Sequence, residues 1–156
     1  MIRLIFEHTN PGDDMKDSQK ILNSILSTVQ MGQVGIRSVM DIAVRTDLKR
    51  ALQSQLHEYD AYETQAYDIA SARGWELKGV DPAVRGMSCM MAKMRLSFGK
   101  QDSKIAAMMV QGNTRGMIIG YKDLHQSKKV DAQIKDLAQR LLDSEESNIR
   151  QMQGFL

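Results

Sequence analysis

The sequence contains few proline, cysteine and aromatic residues, and these shortages argue against some classes of protein. Two of its 156 residues are proline, one is cysteine, and 5% are aromatic. Pro11 and Pro82 both lie near predicted helix boundaries, and runs of β-branched residues are few. This composition argues against a sheet protein and predicts an all-α chain. A single cysteine, Cys89, cannot form an internal disulfide, which is typical of a reducing compartment.

Excess charge and long apolar runs are lacking as well. The formal net charge is +2, and lysine and arginine are scattered along the chain, so nucleic acid is not expected as a partner. No apolar run is long enough to span a bilayer. The opening MIRLIFEHTN lacks the basic leader and cleavage site of a signal peptide. We therefore predict a cytoplasmic protein without a membrane span.

What the chain does have is the composition of one globular domain, with 42% apolar and 26% charged residues. Residues 1–16 are expected to form an N-terminal tail or arm, because MIRLIF is followed by the turn-rich NPGDD. MIRLIF itself could be a surface tail, a short strand or an arm on a partner subunit. Residues 17–156 are expected to form the domain.

Apolar residues recur at alternating steps of three and four in four long segments. The predicted helices run from Asp17 or Ser18 to about Val44, from Thr46 or Asp47 to a stop at Gly74, from Asp102 or Ser103 to Ser127, and from about Val130 to the C-terminal GFL. The link over residues 75–101 contains a shorter helix, from Asp81-Pro82 to Gly99. Because the links are short, long and short, the pattern predicts a four-helix bundle with one long helical crossover.

The fourth helix carries the clearest pattern. One face of Ile134–Met152 is apolar at both ends and polar in the middle, and it consists of Ile134, Ala138, Leu141, Glu145, Asn148 and Met152. Glu145 and Asn148 stand three residues apart and therefore lie side by side on the helix.

The other helices have similar polar interruptions near their midpoints. Gln33, Glu63 and Asn113 lie at comparable distances from the two predicted turns, so all the interruptions should meet in one layer. Buried polar groups must be hydrogen-bonded or must coordinate an ion. The layer is expected either to fix helix register through hydrogen bonds or to bind a divalent metal through Gln33, Glu63, Asn113, Glu145 and Asn148. The rings of Tyr59, Tyr62 and Tyr67 should pack in the core with hydroxyls reaching this layer.

This layout resembles the ferritin-like superfamily over roughly residues 17–154. The resemblance rests on the connectivity, the mid-helix polar positions and the Glu145-x-x-Asn148 pair. Residues 55–77, QLHEYDAYETQAYDIASARGWEL, are also similar to small bacterial ferritin-like proteins related to the spore coat F domain. The di-iron members of the superfamily place a Glu on two helices and a Glu-x-x-His on the other two.

The chain departs from that ligand pattern. Gln33 and Asn113 stand where the resemblance implies carboxylates, Asn148 stands where it implies histidine, and no Glu-x-x-His occurs. The three histidines, His8, His57 and His125, are predicted to lie away from the layer. The oxygen ligands that remain suit hard cations better than oxygen-activating iron.

Two other patterns need an interpretation. The cluster of Met87, Cys89, Met90, Met91 and Met94 is expected to be adaptable apolar packing, with a copper site as the alternative. The spacing of Gly112, Gly116 and Gly120 predicts a close contact between helices.

The sequence leaves three functional hypotheses. The first is a non-enzymatic ferritin-like bundle that works by association, as a homodimer, in a larger coat-like layer or with a protein partner. Under this hypothesis the protein binds no cofactor, and the polar layer is a degenerate form of a di-metal site. The second is an oxidase or storage protein that binds iron or manganese at the mid-bundle carboxylates. The third is a small-molecule carrier that uses the bundle core.

Overall fold

A computed structural model of the chain describes residues 11–87, 101–127 and 129–156. All regular secondary structure in these ranges is helical: α1 Pro11–Val39, α2 Thr46–Ala72, α3 over residues 82–87, α4 Gln101–Gln126 and α5 Ala132–Gln153. The predicted all-α class is confirmed. None of these helices is long and apolar enough to cross a bilayer. The MIRLIF segment, the Cys89–Met94 part of the methionine cluster and the predicted helix end at Gly99 lie outside the described residues.

Helix α1 differs from its predicted bounds at both ends. It begins at Pro11 instead of Asp17, so residues 11–16 belong to the helix and not to a tail. Proline suits the first turn of a helix, and Asp13 and Asp14 in that turn interact favourably with the helix dipole. The helix ends at Val39, several residues earlier than predicted.

The early end of α1 involves Asp102, whose predicted role as an N-cap of its own helix is wrong. Its carboxylate accepts hydrogen bonds from the backbone N–H groups of Val44 and Arg45, each at 2.8 Å. These contacts hold the α1–α2 connection in a non-helical conformation. They also fix the start of α4 beside that connection.

The predicted stop of α2 at Gly74 is confirmed. Gly74 has a φ of 67°, the left-handed conformation that glycine adopts without strain. The N–H of Trp75 donates to the carbonyl of Ala70 at 2.9 Å, and the N–H of Gly74 donates to Ser71 at 3.2 Å. This is the Schellman arrangement of a helix C-terminus.

The chain after α2 lies along α1. The N–H of Lys78 donates to Asn23 Oδ1 at 2.9 Å, and the N–H of Val80 donates to Gln30 Oε1 at 2.8 Å. Residues 78–80 therefore run back along α1 from the end of α2.

Contacts at both ends of the bundle show in which direction each helix runs. Ser24 hydrogen-bonds Asp123 near one end of the bundle, and Val44 meets Asp102 near the other, so α1 and α4 are antiparallel. Helices α2 and α5 are also antiparallel, because Arg73 pairs with Asp131 while Gln55 donates to Gln151.

Helices α2 and α4 consequently run in the same direction. Each packs against both α1 and α5, and they make little contact with one another. They occupy opposite corners of the bundle.

The inner face predicted for the fourth helix is confirmed at every position. All six side chains are buried on α5: Ile134, Ala138, Leu141, Glu145, Asn148 and Met152. The predicted inner faces of α1 and α2 also supply the core, through Leu22, Leu26, Val29, Ile36, Leu48, Leu52, Ala66 and Ala70.

Two of the three α4 glycines make the predicted close contact. A Cβ at Gly116 would lie 3.1 Å from Thr28 Cγ2, and a Cβ at Gly120 would lie 2.8 Å from Leu142 Cδ2. The prediction is wrong for Gly112, which is exposed and has open space around it. Its position turns it away from the core, because the contact face of α4 does not follow a strict four-residue step.

On α1, Gly32 and Gly35 form a matched pair for mutation. A Cβ at Gly32 would lie 2.5 Å from Cε2 of the Tyr59 ring, whereas one at Gly35 meets nothing within 4 Å. We expect Gly32→Ala to lower the free energy of unfolding by about 1–3 kcal/mol through overpacking. Gly35→Ala should raise it by about 0.5–1 kcal/mol, because alanine is the better helix former. Urea unfolding of both variants checks this, and equal effects would contradict the close packing of Tyr59 on Gly32.

Candidate functional site

The polar layer is organised around the hydroxyl of Tyr59. This hydroxyl lies 2.8 Å from Glu145 Oε1 and 3.1 Å from Asn113 Oδ1, and both contacts are buried. Since a phenol has one hydrogen, it donates to one of these oxygens at a time. Asn148 lies beside the same hydroxyl, where its amide favours the ionised phenol. The structure thus brings together three of the predicted site residues: Asn113, Glu145 and Asn148.

Glycines make room for this cluster. The Tyr59 ring lies against Gly32, where any larger residue would collide with it. On the other side, a Cβ at Gly116 would lie 3.5 Å from Cδ of Glu145, so the carboxyl group packs directly on the α4 backbone. The close approach of α1 to Tyr59 and of α4 to Glu145 encloses both side chains.

Glu145 is the buried titratable group of the layer, with 2% of its surface exposed. Burial raises the pKa of its carboxyl to about 7, because a charge is poorly solvated there. The Tyr59 hydrogen bond opposes that rise, and the nearby carboxylate of Glu58 adds to it. Burial, followed by the charge of Glu145, raises the pKa of Tyr59 well above its ordinary value. Near neutral pH, Glu145 is therefore balanced between its neutral and charged forms, while Tyr59 keeps its proton.

The second carboxyl oxygen, Glu145 Oε2, is buried and has no hydrogen-bond partner among the described residues. Glu145 also lines a cavity of about 20 Å³ between α1, α4 and α5. A cavity of that volume is about the size of one water molecule. Its walls are mostly apolar, and Asp123 and Ser24, which hydrogen-bond each other, also line it.

The other two predicted site residues do not join the Tyr59 cluster. Gln33 is buried, but its Nε2 donates to Asp60 Oδ1 at 2.9 Å, and Asp60 also pairs with Arg37 at 3.5 Å. Glu63 is half-buried, one helical turn beyond Tyr59, and forms no hydrogen bond or ion pair with a described residue. Helical periodicity placed both residues on the correct elements but did not reveal their neighbours.

The side chains around Tyr59 do not suit a two-metal centre. Within the described ranges, no three or more His, Cys, Asp and Glu side chains are grouped so that they could hold a metal ion. The cluster offers one carboxylate and two neutral amides, and one carboxylate oxygen already receives the Tyr59 hydrogen. Ca²⁺ and Mg²⁺ in proteins take six or more oxygen ligands, including carboxylates that balance their charge. His57 and His125 are exposed, and His8 lies outside the described residues. Metal binding by the five residues stays a prediction.

The tyrosines partly follow expectation. Tyr59 reaches the layer as predicted, whereas Tyr62 bonds the carbonyl of Arg140 and the hydroxyl of Ser144. Tyr67 is exposed and accepts a long hydrogen bond, 3.4 Å, from Gln30. Of the three tyrosines, only Tyr59 places its hydroxyl inside the buried polar layer.

Comparison of the chain with models of protein families, with curated proteins and with solved structures gives no match. The resemblance to the ferritin-like superfamily and to the spore coat F domain therefore stays a prediction from the sequence.

The Tyr59 hydroxyl predicts a specific loss of stability. Tyr59→Phe removes the one buried donor that Glu145 Oε1 and Asn113 Oδ1 share, which should lower the free energy of unfolding by about 1–3 kcal/mol. Tyr62→Phe is the matched control: its hydroxyl is more accessible, so water can replace it and the loss should stay below about 1 kcal/mol. Chemical unfolding at one pH compares the two. Losses of the same size would show that the Tyr59 hydroxyl has no special role.

The pKa of Glu145 predicts that stability falls as the pH rises. The carboxyl has a pKa of about 7 in the folded protein, against an ordinary value of 4.5. The folded state binds the proton more tightly, so this contribution is complete below pH 4.5 and disappears as the pH rises through about 7, a change of roughly 3 kcal/mol.

We expect Glu145→Gln to flatten this pH dependence, because glutamine has the same shape and does not titrate. The measurement is the free energy of unfolding at several pH values between about 4.5 and about 8. Glu63→Gln serves as the control and should keep the wild-type slope, since Glu145 is intact. An unchanged slope in Glu145→Gln would mean that another group is responsible.

Proposed function

We propose that this chain is a non-enzymatic helical bundle of ferritin-like connectivity that acts by associating with itself or with a protein partner. In this proposal the mid-bundle layer holds a proton at the position where di-iron relatives hold metals. The observation that carries it is the environment of Glu145: a buried carboxyl that accepts a hydrogen bond from a tyrosine hydroxyl, with no group of three or more possible His, Cys, Asp or Glu ligands among the described residues.

The helix directions support the connectivity. Helices α2 and α4 run in the same direction, so the chain between them must return along the length of the bundle. The contacts of Lys78 and Val80 with α1 follow that return path. A single long crossover distinguishes the ferritin-like arrangement from an up-down-up-down bundle.

The enclosure of Glu145 supports a non-catalytic role for the layer. A general acid or base must come within about 3 Å of the atom it protonates or deprotonates, or act through one water. The cavity beside Glu145 has a volume of about 20 Å³, which suits a water molecule but not a metabolite. Two larger surface clefts, of about 270 and 250 Å³, are lined by other residues.

Association is supported by apolar side chains on the outside of α4. Ile118 is 51% exposed, and Ile119 and Tyr121 are exposed on the same helix. A group of exposed apolar side chains on one element is typical of an interaction surface.

The test measures metal content and mass on the same preparation, purified without chelator. We expect less than one equivalent of iron or manganese per chain, together with a native mass of at least twice the 17.6 kDa of one chain. Glu145→Gln should leave that mass unchanged at neutral pH, because the layer is internal.

Two results would contradict the proposal. A full equivalent of iron or manganese that is lost in Glu145→Gln, but kept in the exposed control Glu146→Gln, would favour the oxidase or storage alternative. A chain that stays monomeric at every concentration would contradict self-association.

A further inference from the structure

The outward face of α4 is basic and apolar. Between Asp102 and Asp123 the sequence contains Lys104, Arg115 and Lys122 and no acidic residue. Residues three, four and seven apart share one face of a helix, so Arg115, Ile118 and Lys122 form one exposed stripe. We call these three residues the α4 stripe. The acids that bound this segment are engaged within the bundle, since Asp102 binds the α1–α2 connection and Asp123 binds Ser24.

The outward face of α2 has the opposite charge. Between Arg50 and Arg73 the sequence contains Glu58, Asp60, Glu63 and Asp68 and no lysine or arginine. Asp60 and Asp68 are the exposed ones, and Asp60 also pairs with Arg37 of α1. The exposed residues Ala61, Thr64 and Asp68 lie three, four and seven apart and form the α2 stripe. Asp60 is exposed beside this stripe. The small side chains of Ala61 and Thr64 leave a flat surface on the α2 stripe, which has room for a larger apolar group.

The two stripes point away from each other. Helices α2 and α4 occupy opposite corners of the bundle, and each stripe is turned outward, because the inner face of its own helix is buried. The exposed surface of α5 is different: it carries both signs of charge, and four of these residues form ion pairs within the helix, Arg140–Asp136 and Arg150–Glu146. The separation of charge is therefore a property of the α2 and α4 corners.

We propose that the α4 stripe of one copy docks on the α2 stripe of a second copy. Arg115 and Lys122 would meet Asp60 and Asp68, and Ile118 between them would cover the flat part of the α2 stripe. This inference rests on the proposed association and names its surfaces.

The charges favour this head-to-tail contact over a symmetric one. Two α4 stripes in a twofold dimer would place Arg115 and Lys122 of both copies together, and such like-charge contacts are unfavourable. A contact between two different surfaces leaves one of each free on the dimer. It therefore continues into a ring or an open filament.

The test uses two charge-reversed chains. Arg115→Glu/Lys122→Glu makes the α4 stripe acidic, and Ala61→Lys/Asp68→Lys makes the α2 stripe basic; both pairs are exposed and seven residues apart. We expect each variant alone to associate at least about tenfold more weakly than wild type, because its two stripes repel. Mixed in equal amounts, the variants should associate again, since each reversed stripe now finds its complement.

Native mass against concentration, by light scattering or sedimentation, is the measurement. Wild-type association should also weaken between about 50 mM and about 500 mM salt, because exposed charges are screened. Lys16→Glu/Lys20→Glu on α1 is the matched control, with the same charge change at two exposed positions, and should associate like wild type. Circular dichroism and urea unfolding confirm that every variant is folded.

The outcomes test the contact between the two stripes separately from association itself. Wild-type association that survives both reversals, or a mixture that fails to recover, overturns the stripe contact while association itself stands. A wild-type chain that never associates overturns both.

Discussion

The hydrogen bond between the Tyr59 hydroxyl and Glu145 is the interaction on which the rest of the bundle depends. A carboxyl group withdrawn from water costs several kcal/mol unless it is neutralised or hydrogen-bonded. Here the donor comes from α2, the acceptor from α5 and a neighbouring amide, Asn113, from α4. The geometry exists only because Gly32 lets α1 approach the tyrosine ring. One polar contact therefore constrains the relative position of all four long helices.

That constraint explains why a polar layer persists in an otherwise apolar core. Leucines pack well in several registers, because one apolar contact can replace another at little cost. A buried hydrogen bond is lost as soon as a helix slides by one turn, and the unpaired groups then cost about 1–3 kcal/mol each. The layer thus favours one alignment of α2 on α5. The remaining unpaired oxygen of Glu145 makes that alignment sensitive to pH, since the neutral carboxyl is the form that burial favours.

Helical periodicity predicted the elements and faces of this fold far better than the contacts between them. The inner face of α5 was predicted residue by residue, and the stop at Gly74 followed from glycine's conformational freedom. The pattern could not show that Asp102 binds a connection more than fifty residues away, because capping is inferred only from local spacing. For the same reason Gln33 was placed in the layer, although its amide turns to Asp60. A period of 3.6 residues predicts which side of a helix is buried, but it does not predict which residues of other helices that side contacts.

The rotation of each helix about its own axis determines both which side chains are buried and which charges face solvent. A rotation of α2 by one residue, about 100° around its axis, would move Tyr59 out of the layer and carry the neighbouring Asp60 towards the core. The same rotation would turn Asp68 away from its outward position. The buried hydrogen bond that holds Tyr59 inward therefore also determines which charges α2 presents to solvent. Gly116, held against Glu145, orients the outward face of α4 in the same way. Surface charge and internal hydrogen bonding thus depend on the same helix rotations, so the buried polar layer helps to determine which charges the bundle presents to solvent.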